Sequence, residues 1–105
     1  MIVSCKLKQV EEIKKFMVEH SHKYVKCVVL GDCITPNGTP DSYLELAIKA
    51  VNEEVANNDE ELLDVFCAVS DITDGRFNII ITNSYNNIYS ESDLKNGVTI
   101  YEQTA

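Results

Sequence analysis

The feature that most constrains the fold is a run of seven mostly apolar residues, Tyr24–Leu30, in which Lys26 is the only charged side chain. Such a run is typical of a β-strand that is covered on both faces, as in parallel or mixed sheets. Gly31-Asp32 interrupts the run, and a polar loop that contains Pro36 and Asn37-Gly38 follows it. The sequence therefore predicts a layered fold built on a central strand at 24–30.

A capped helix is predicted after this loop. Thr39 is a suitable N-cap, and Pro40 suits the first helical position because its missing N–H would have no partner there. Asp41 would favour the positive end of the helix dipole, and Asn57 would end the helix. The apolar stripe of this helix would consist of Leu44, Ala47, Ile48, Val51 and Val55. Three further side chains flank that stripe and widen the apolar arc: Tyr43, Leu46 and Ala50.

The other predicted elements lie on both sides of this strand and helix. A strand at 2–7 and a helix at 8–20 would form a right-handed crossover, making the first two strands parallel. A third strand is predicted at 65–69, joined by a hairpin loop at 71–75 to an antiparallel strand at 76–83. After these, Ser90 and Asp93 have capping-box spacing for a one-turn helix, with Gly97 as its left-handed terminus and an edge strand at 97–102.

These elements define the predicted fold class. The chain of 105 residues is predicted to form a single α+β domain over residues 1–105. We expect a mixed sheet of four or five strands packed with two main helices, in the order β-α-β-α-β-β-(short α)-β.

No apolar run approaches the ~20 residues that span a bilayer, and the amino terminus lacks the pattern of a signal peptide. The sequence thus predicts a cytoplasmic protein with four reduced cysteines and no cofactor.

Charge is distributed unevenly along the chain. Residues 1–30 hold six lysines and three acids, a net charge of +3, whereas residues 31–105 hold three basic groups and fourteen acids, a net charge of −11. The acids are densest in residues 41–74, a segment that contains ten acidic residues and one basic residue, Lys49. Such a field repels nucleic acid and anionic membranes, and it accelerates encounter with a basic protein surface.

This charge pattern predicts a protein-binding role. The candidate partner-binding residues are Asp41, Glu45, Glu53, Glu54, Asp59, Glu60, Glu61 and Asp64. The acids could imitate the phosphates of a nucleic acid or complement a basic active site, and solubility alone is the simpler explanation. We therefore expect a small non-enzymatic inhibitor that docks on a basic toxin or a nucleic-acid-binding enzyme, as immunity proteins and phage anti-defence inhibitors do. A self-assembling subunit is a second hypothesis, with the homodimer formed through the flank Tyr43, Leu46 and Ala50.

Two groups of potential metal ligands lack the spacing of known metal sites. His20, His22, Cys27 and Cys33 lack the close paired spacing of a structural zinc site. The segment 71–75 has two aspartates and a glycine but lacks the ligand series of a calcium loop. No metal site is predicted in either place.

One segment resembles the first motif of a hydrolase family. Val29-Leu30-Gly31-Asp32-Cys33-Ile34-Thr35 is similar to the apolar strand and Gly-Asp-Ser-Ile-Thr sequence of the SGNH hydrolases. The resemblance implies a nucleophile at Cys33, at the carboxyl end of the strand, and thiol chemistry there would need a base to lower its pKa. The resemblance covers about seven residues, and the family's Gly-x-Asn-Asp and Asp-x-x-His motifs do not follow. A Cys-dependent hydrolase is therefore the alternative hypothesis, and the predicted role is non-enzymatic.

Overall fold

The computed structural model describes residues 1–103 of the chain. Its elements follow one another in the order α-β-β-α-α-β-α-β, with short 3₁₀ turns at Ser4–Lys6, Gly31–Ile34 and Tyr85–Asn87. The helices are α1 (Leu7–Glu19), α2 (Glu53–Ala56), α3 (Asp59–Thr73) and α4 (Glu91–Asn96). The strands are β1 (Tyr24–Leu30), β2 (Leu44–Ala50), β3 (Phe77–Thr82) and β4 (Val98–Glu102).

The four strands form one mixed sheet in the order β3-β2-β1-β4. β1 is antiparallel to both β2 and β4, whereas β2 and β3 are parallel and are connected through α2 and α3. Parallel strands require such a crossover connection, and α3 supplies it. The predicted α+β class, with a four-stranded mixed sheet and two long helices, is confirmed.

Both faces of the two central strands are covered. Cys27 pairs with Ile48 on the face that α1 and α3 cover, and the next pair, Val28 with Ala47, points to the opposite face. There, the segment that contains α4 covers the sheet, and the Tyr85 hydroxyl donates a hydrogen bond of 2.8 Å to the Ala47 carbonyl. This two-sided burial explains why 24–30 is almost continuously apolar, as the sequence predicted.

The two long helices pack side by side on one face of the sheet. α1 lies over β4 and α3 lies over β3, and the helices also contact each other. The main core lies between these helices and the sheet and includes Ile13, Met17, Val65 and Val69.

The amino-terminal prediction was wrong. In place of the strand predicted at 2–7, Ser4–Lys6 form a 3₁₀ turn that leads into α1 at Leu7, so the expected parallel pair of strands and its crossover are not formed there. The Val3 N–H does donate to the Cys33 carbonyl at 2.8 Å, which ties the terminus to the end of β1 through one hydrogen bond. The predicted helix at 8–20 is confirmed as α1, within one residue at each end.

The predicted helix after Thr39 was also wrong. Thr39 and Ser42 form a turn, closed by a hydrogen bond of 3.0 Å from the Ser42 N–H to the Thr39 carbonyl. Residues 44–50 then form β2, a central strand that pairs with β1 on one side and β3 on the other. Leu, Glu, Ala and Lys are good helix formers, but helix propensity is a small free-energy preference, and the hydrogen bonds and burial available between two strands outweigh it.

The predicted third strand and hairpin are replaced by α3. Val65, Val69 and Thr73 are buried at helical spacing, and the Asn58 side chain caps the helix by accepting a hydrogen bond of 3.1 Å from the Glu61 N–H. Asp74 and Gly75, with φ of 55° and 77°, end this helix instead of turning a hairpin. The strand expected at 76–83 exists as β3, but it runs parallel to β2.

The carboxyl-terminal elements are close to their predictions. Ser90 and Asp93 form the capping box of α4, and β4 is an edge strand. Gly97 has φ of −75°, so the left-handed helix end predicted there is not formed.

Candidate protein-binding site

Six of the eight predicted binding residues lie together where two helices begin. Asn52 caps α2 and Asn58 caps α3, each by accepting a hydrogen bond from a backbone N–H three residues later. These caps place five of the acids in the first turns of α2 and α3, where the helix dipole stabilises negative charge, and Asp64 lies one turn further along α3. We call this group the acidic end; it consists of Glu53, Glu54, Asp59, Glu60, Glu61 and Asp64.

One cation lies against the acidic end. The Lys23 Nζ is 2.6 Å from Glu61 Oε2, and both side chains are about three-quarters buried. Within residues 1–103, the other five acids of the group form no ion pair. Lys49 lies on the opposite face of the sheet, directly across from Lys26, and so does not neutralise the acidic end. The acidic end therefore presents uncompensated negative charge to solvent.

The field of these acids reaches into the core. Tyr24, which is buried where β1 begins, has its pKa raised to about 12 by burial and then by the charges of Glu61 and Asp64. A negative neighbour disfavours the phenolate, and low-dielectric surroundings strengthen that effect. The acidic end is thus coupled electrostatically to the folded core.

The structure separates the remaining two predicted residues from this group. Asp41 precedes β2 and lies at the opposite end of that strand, where its carboxylate is 3.6 Å from the Arg76 guanidinium. Glu45 points to the face of the sheet that α1 and α3 do not cover, with its carboxylate against Gly31. The predicted set of eight is therefore one group of six and two separate acids.

The predicted homodimer flank does not exist as a surface. Leu46 and Ala50 are buried in the central strand β2, and only Tyr43 is exposed. The flank was predicted for a helix. Residues 44–50 form a strand instead, so these side chains do not share one exposed face.

Cys33 occupies the position that the SGNH resemblance implies, in the 3₁₀ turn after β1, but it is fully buried. Its thiol donates to the Tyr43 carbonyl at 3.3 Å, and burial raises its pKa, with Lys6 acting in the opposite direction. The two histidines lie at the end of α1, where His20 Nδ1 is 2.8 Å from the Phe16 carbonyl. Cys33 therefore lacks the two properties of an activated thiol, access to solvent and a lowered pKa.

The candidate metal ligands are also dispersed. Cys27 is buried in β1, and burial raises its pKa to about 12. In the part of the chain that the structure describes, no three His, Cys, Asp or Glu side chains converge as a metal site would require. Asp71 lies in α3 and Asp74 ends that helix, so the aspartates of 71–75 do not form a loop.

Sequence reasoning missed a small pocket of about 150 Å³ on the face opposite α1 and α3. Its walls combine Glu45 and Asn78 with the apolar parts of Leu30, Ile80 and Tyr89. Burial raises the Tyr89 pKa, and the nearby Glu45 charge adds to that effect. The pocket depends on β2 and β3 lying side by side, a long-range pairing that no local sequence signal indicates.

No helix within residues 1–103 is both long enough and apolar enough to cross a membrane. Comparison of the chain with known protein families and with characterised proteins found no match.

Proposed function

We propose that the protein is a small non-enzymatic binding protein that docks its acidic end on a basic surface of another protein. The observation that carries this proposal is the grouping of six acids where α2 and α3 begin, with a single ion pair, Lys23 with Glu61, among the described residues. Opposite charge on a partner would accelerate encounter and fix its orientation. A basic toxin or a nucleic-acid-binding enzyme, inhibited by a surface that imitates phosphate charge, is the partner class that this chemistry fits best.

A structural role for the same acids must be separated from a binding role. Acids in the first turn of a helix stabilise it by about 0.3–1 kcal/mol each at low ionic strength, with or without a partner. Glu61 also holds Lys23, so its replacement would disturb the fold. The test therefore uses Glu53, Glu54 and Glu60, which are exposed and form no ion pair among the described residues.

The experiment is affinity purification from cell extract at low and high salt, followed by association kinetics with the captured protein. We expect a basic partner whose binding weakens steeply with salt. The triple substitution E53Q/E54Q/E60Q is expected to slow association at low salt by roughly tenfold, because steering by uncompensated charge is lost.

The control is E11Q/E12Q/E19Q, which removes the same charge from three exposed acids of α1. We expect this variant to change association much less. Equal slowing by both variants would show that net charge alone matters, and binding that does not depend on salt would refute docking through the acidic end.

A further inference from the structure

β3 is an edge strand without the usual protection against pairing. Its six residues carry no charge and no proline, and its register with β2 contains no bulge over the described strand. The opposite edge, β4, differs: its pairing with β1 contains a register shift, and it carries Glu102, which forms an ion pair with Lys26. Natural proteins protect edge strands with charges, prolines or bulges, and β3 has none of these three.

The direction of the backbone groups shows which residues would form that pairing. The Arg76 carbonyl accepts a hydrogen bond of 3.0 Å from the Leu44 N–H and therefore points to β2. The N–H and C=O of one strand residue point to the same side, and successive residues alternate between the two sides. The backbone N–H and C=O groups of Asn78 and Ile80 therefore also point to β2. Phe77, Ile79 and Ile81 accordingly direct their donors and acceptors away from the sheet.

The side chains around this edge are apolar on both faces. Leu63 and Phe66 of α3 are 61% and 41% exposed, and the Phe66 ring lies edge-on against Phe77, with ring centroids 6.1 Å apart. On the other face, Ile80 is 42% exposed. Glu61 of α3 contacts Lys23, whereas Asp59 lies on the same helical stripe as Leu63 and Phe66, at the amino-terminal end of α3. We use the term strip for β3 together with Leu63 and Phe66; none of these residues carries a charge, on a chain with a net charge of −8.

We propose that β3 pairs antiparallel with β3 of a second copy of this chain, about a two-fold axis at Ile79. Directly opposed residues of antiparallel strands point to the same face, so a two-fold axis between the strands must place one residue opposite its own copy. Centring on Ile79 places Ile79 opposite itself and Phe77 opposite Ile81, so that every outward donor and acceptor of the strand finds a partner. The two four-stranded sheets then form one continuous sheet.

Charge is the reason for choosing a second copy as the occupant. The register places Arg76 of one copy opposite Thr82 of the other, so no like charges are directly opposed within the paired strands. A basic partner would gain nothing from this neutral strip, whereas an identical strip matches it in hydrogen bonding and polarity. The two α3 helices lie on the same face of the joined sheet, which brings Leu63 and Phe66 of both copies together above the axis.

Sedimentation velocity over a wide range of concentration tests the dimer directly. We expect a concentration-dependent species of twice the monomer mass of 11.8 kDa. Ile80→Lys is expected to abolish that species, because a charged edge resists pairing. The matched control is Val18→Lys, which makes the same change at an exposed apolar residue of α1 and should leave the dimer intact. A monomer at all concentrations, or equal loss in both variants, would overturn the proposal.

Amide hydrogen exchange of the unaltered protein tests the register without any substitution. We expect the amides of Phe77, Ile79 and Ile81 to be protected at high concentration and to lose that protection on dilution. The amides of Asn78 and Ile80 should be protected at both concentrations, because they donate to β2. A dimer in which the three outward amides still exchange rapidly would refute pairing through β3. The proposal does not depend on the acidic end, so E53Q/E54Q/E60Q should still dimerise.

Discussion

At the scale of single residues, Gly31 shows how β1 and β2 are fitted together at one end. Its φ of +80° favours glycine, and a Cβ at this position would collide with the Glu45 carboxylate on the paired strand. The other glycine in a similar conformation, Gly75 with φ of +77°, has no atom near its missing Cβ within the described residues. Substitutions at these two glycines therefore separate the free-energy cost of a left-handed backbone from the free-energy cost of a steric clash.

Gly31→Ala is expected to destabilise the protein more than Gly75→Ala. Both substitutions should incur about 1 kcal/mol for the left-handed backbone, and Gly31→Ala should incur an additional cost for displacing Glu45. Urea unfolding measures both free energies. Adding Glu45→Ala to Gly31→Ala should remove that additional cost, and equal destabilisation by the two single substitutions would contradict the assigned contact.

At the scale of elements, α3 depends on a cap that is visible in the sequence. Asn58 is followed three residues later by Glu61, the spacing that begins many helices. Asn58→Ala should lower the free energy of unfolding by about 1 kcal/mol, because the Glu61 N–H loses its acceptor. Asn57→Ala is the control, since that neighbouring residue lies outside the helix and is exposed. Urea unfolding would contradict the cap if both substitutions had the same effect.

The elements also show what could be predicted from the sequence and why the rest could not. The strand at 24–30, the first helix and the last strand were predicted because each has a strong local pattern. The sequence predicted a helix for residues 44–50 and a strand for 65–69, and the structure has the reverse. Good helix formers lie in β2, and an apolar run that includes Val65, Phe66 and Val69 lies in α3. β2 is a strand because β1 and β3 flank it, and those contacts are distant in sequence.

The candidate site was predicted in part for the same reason. The acids from 53 to 64 remain together because short capped helices keep neighbours in sequence close in space. Asp41 and Glu45 were expected on the same helix as Glu53, but an extended strand of seven residues spans about 23 Å and moves Asp41 to the far end of the sheet.

At the scale of the whole molecule, buried phenols make the fold sensitive to alkali. The Tyr24 pKa is raised from its ordinary value of 10 to about 12, and burial raises the Tyr85 pKa as well. A raised folded-state pKa favours the protonated form, so its contribution to stability is complete below pH 10 and is lost as the pH rises from 10 to about 12.

We therefore expect the free energy of unfolding, measured in urea, to fall steeply between about pH 10 and about pH 12. Tyr24→Phe should reduce that fall, because the variant has no phenol to ionise at this buried site. The control is Tyr43→Phe, where the side chain is 53% exposed, and it should retain the full alkaline sensitivity. An unchanged fall in the Tyr24 variant would show that other groups govern alkaline unfolding.

The placement of α1 over β4 and of α3 over β3 has a consequence for how the molecule moves in an electric field. α1, in which three lysines balance three glutamates, lies over β4 on one side of the sheet's midline, and the acidic α3 lies over β3 on the other. A monomer therefore carries a permanent dipole moment across its strands, and the potential of a basic partner exerts a torque that turns the acidic end forward before contact. In a pair related by a two-fold axis normal to the sheet, the in-plane moments cancel and that torque vanishes.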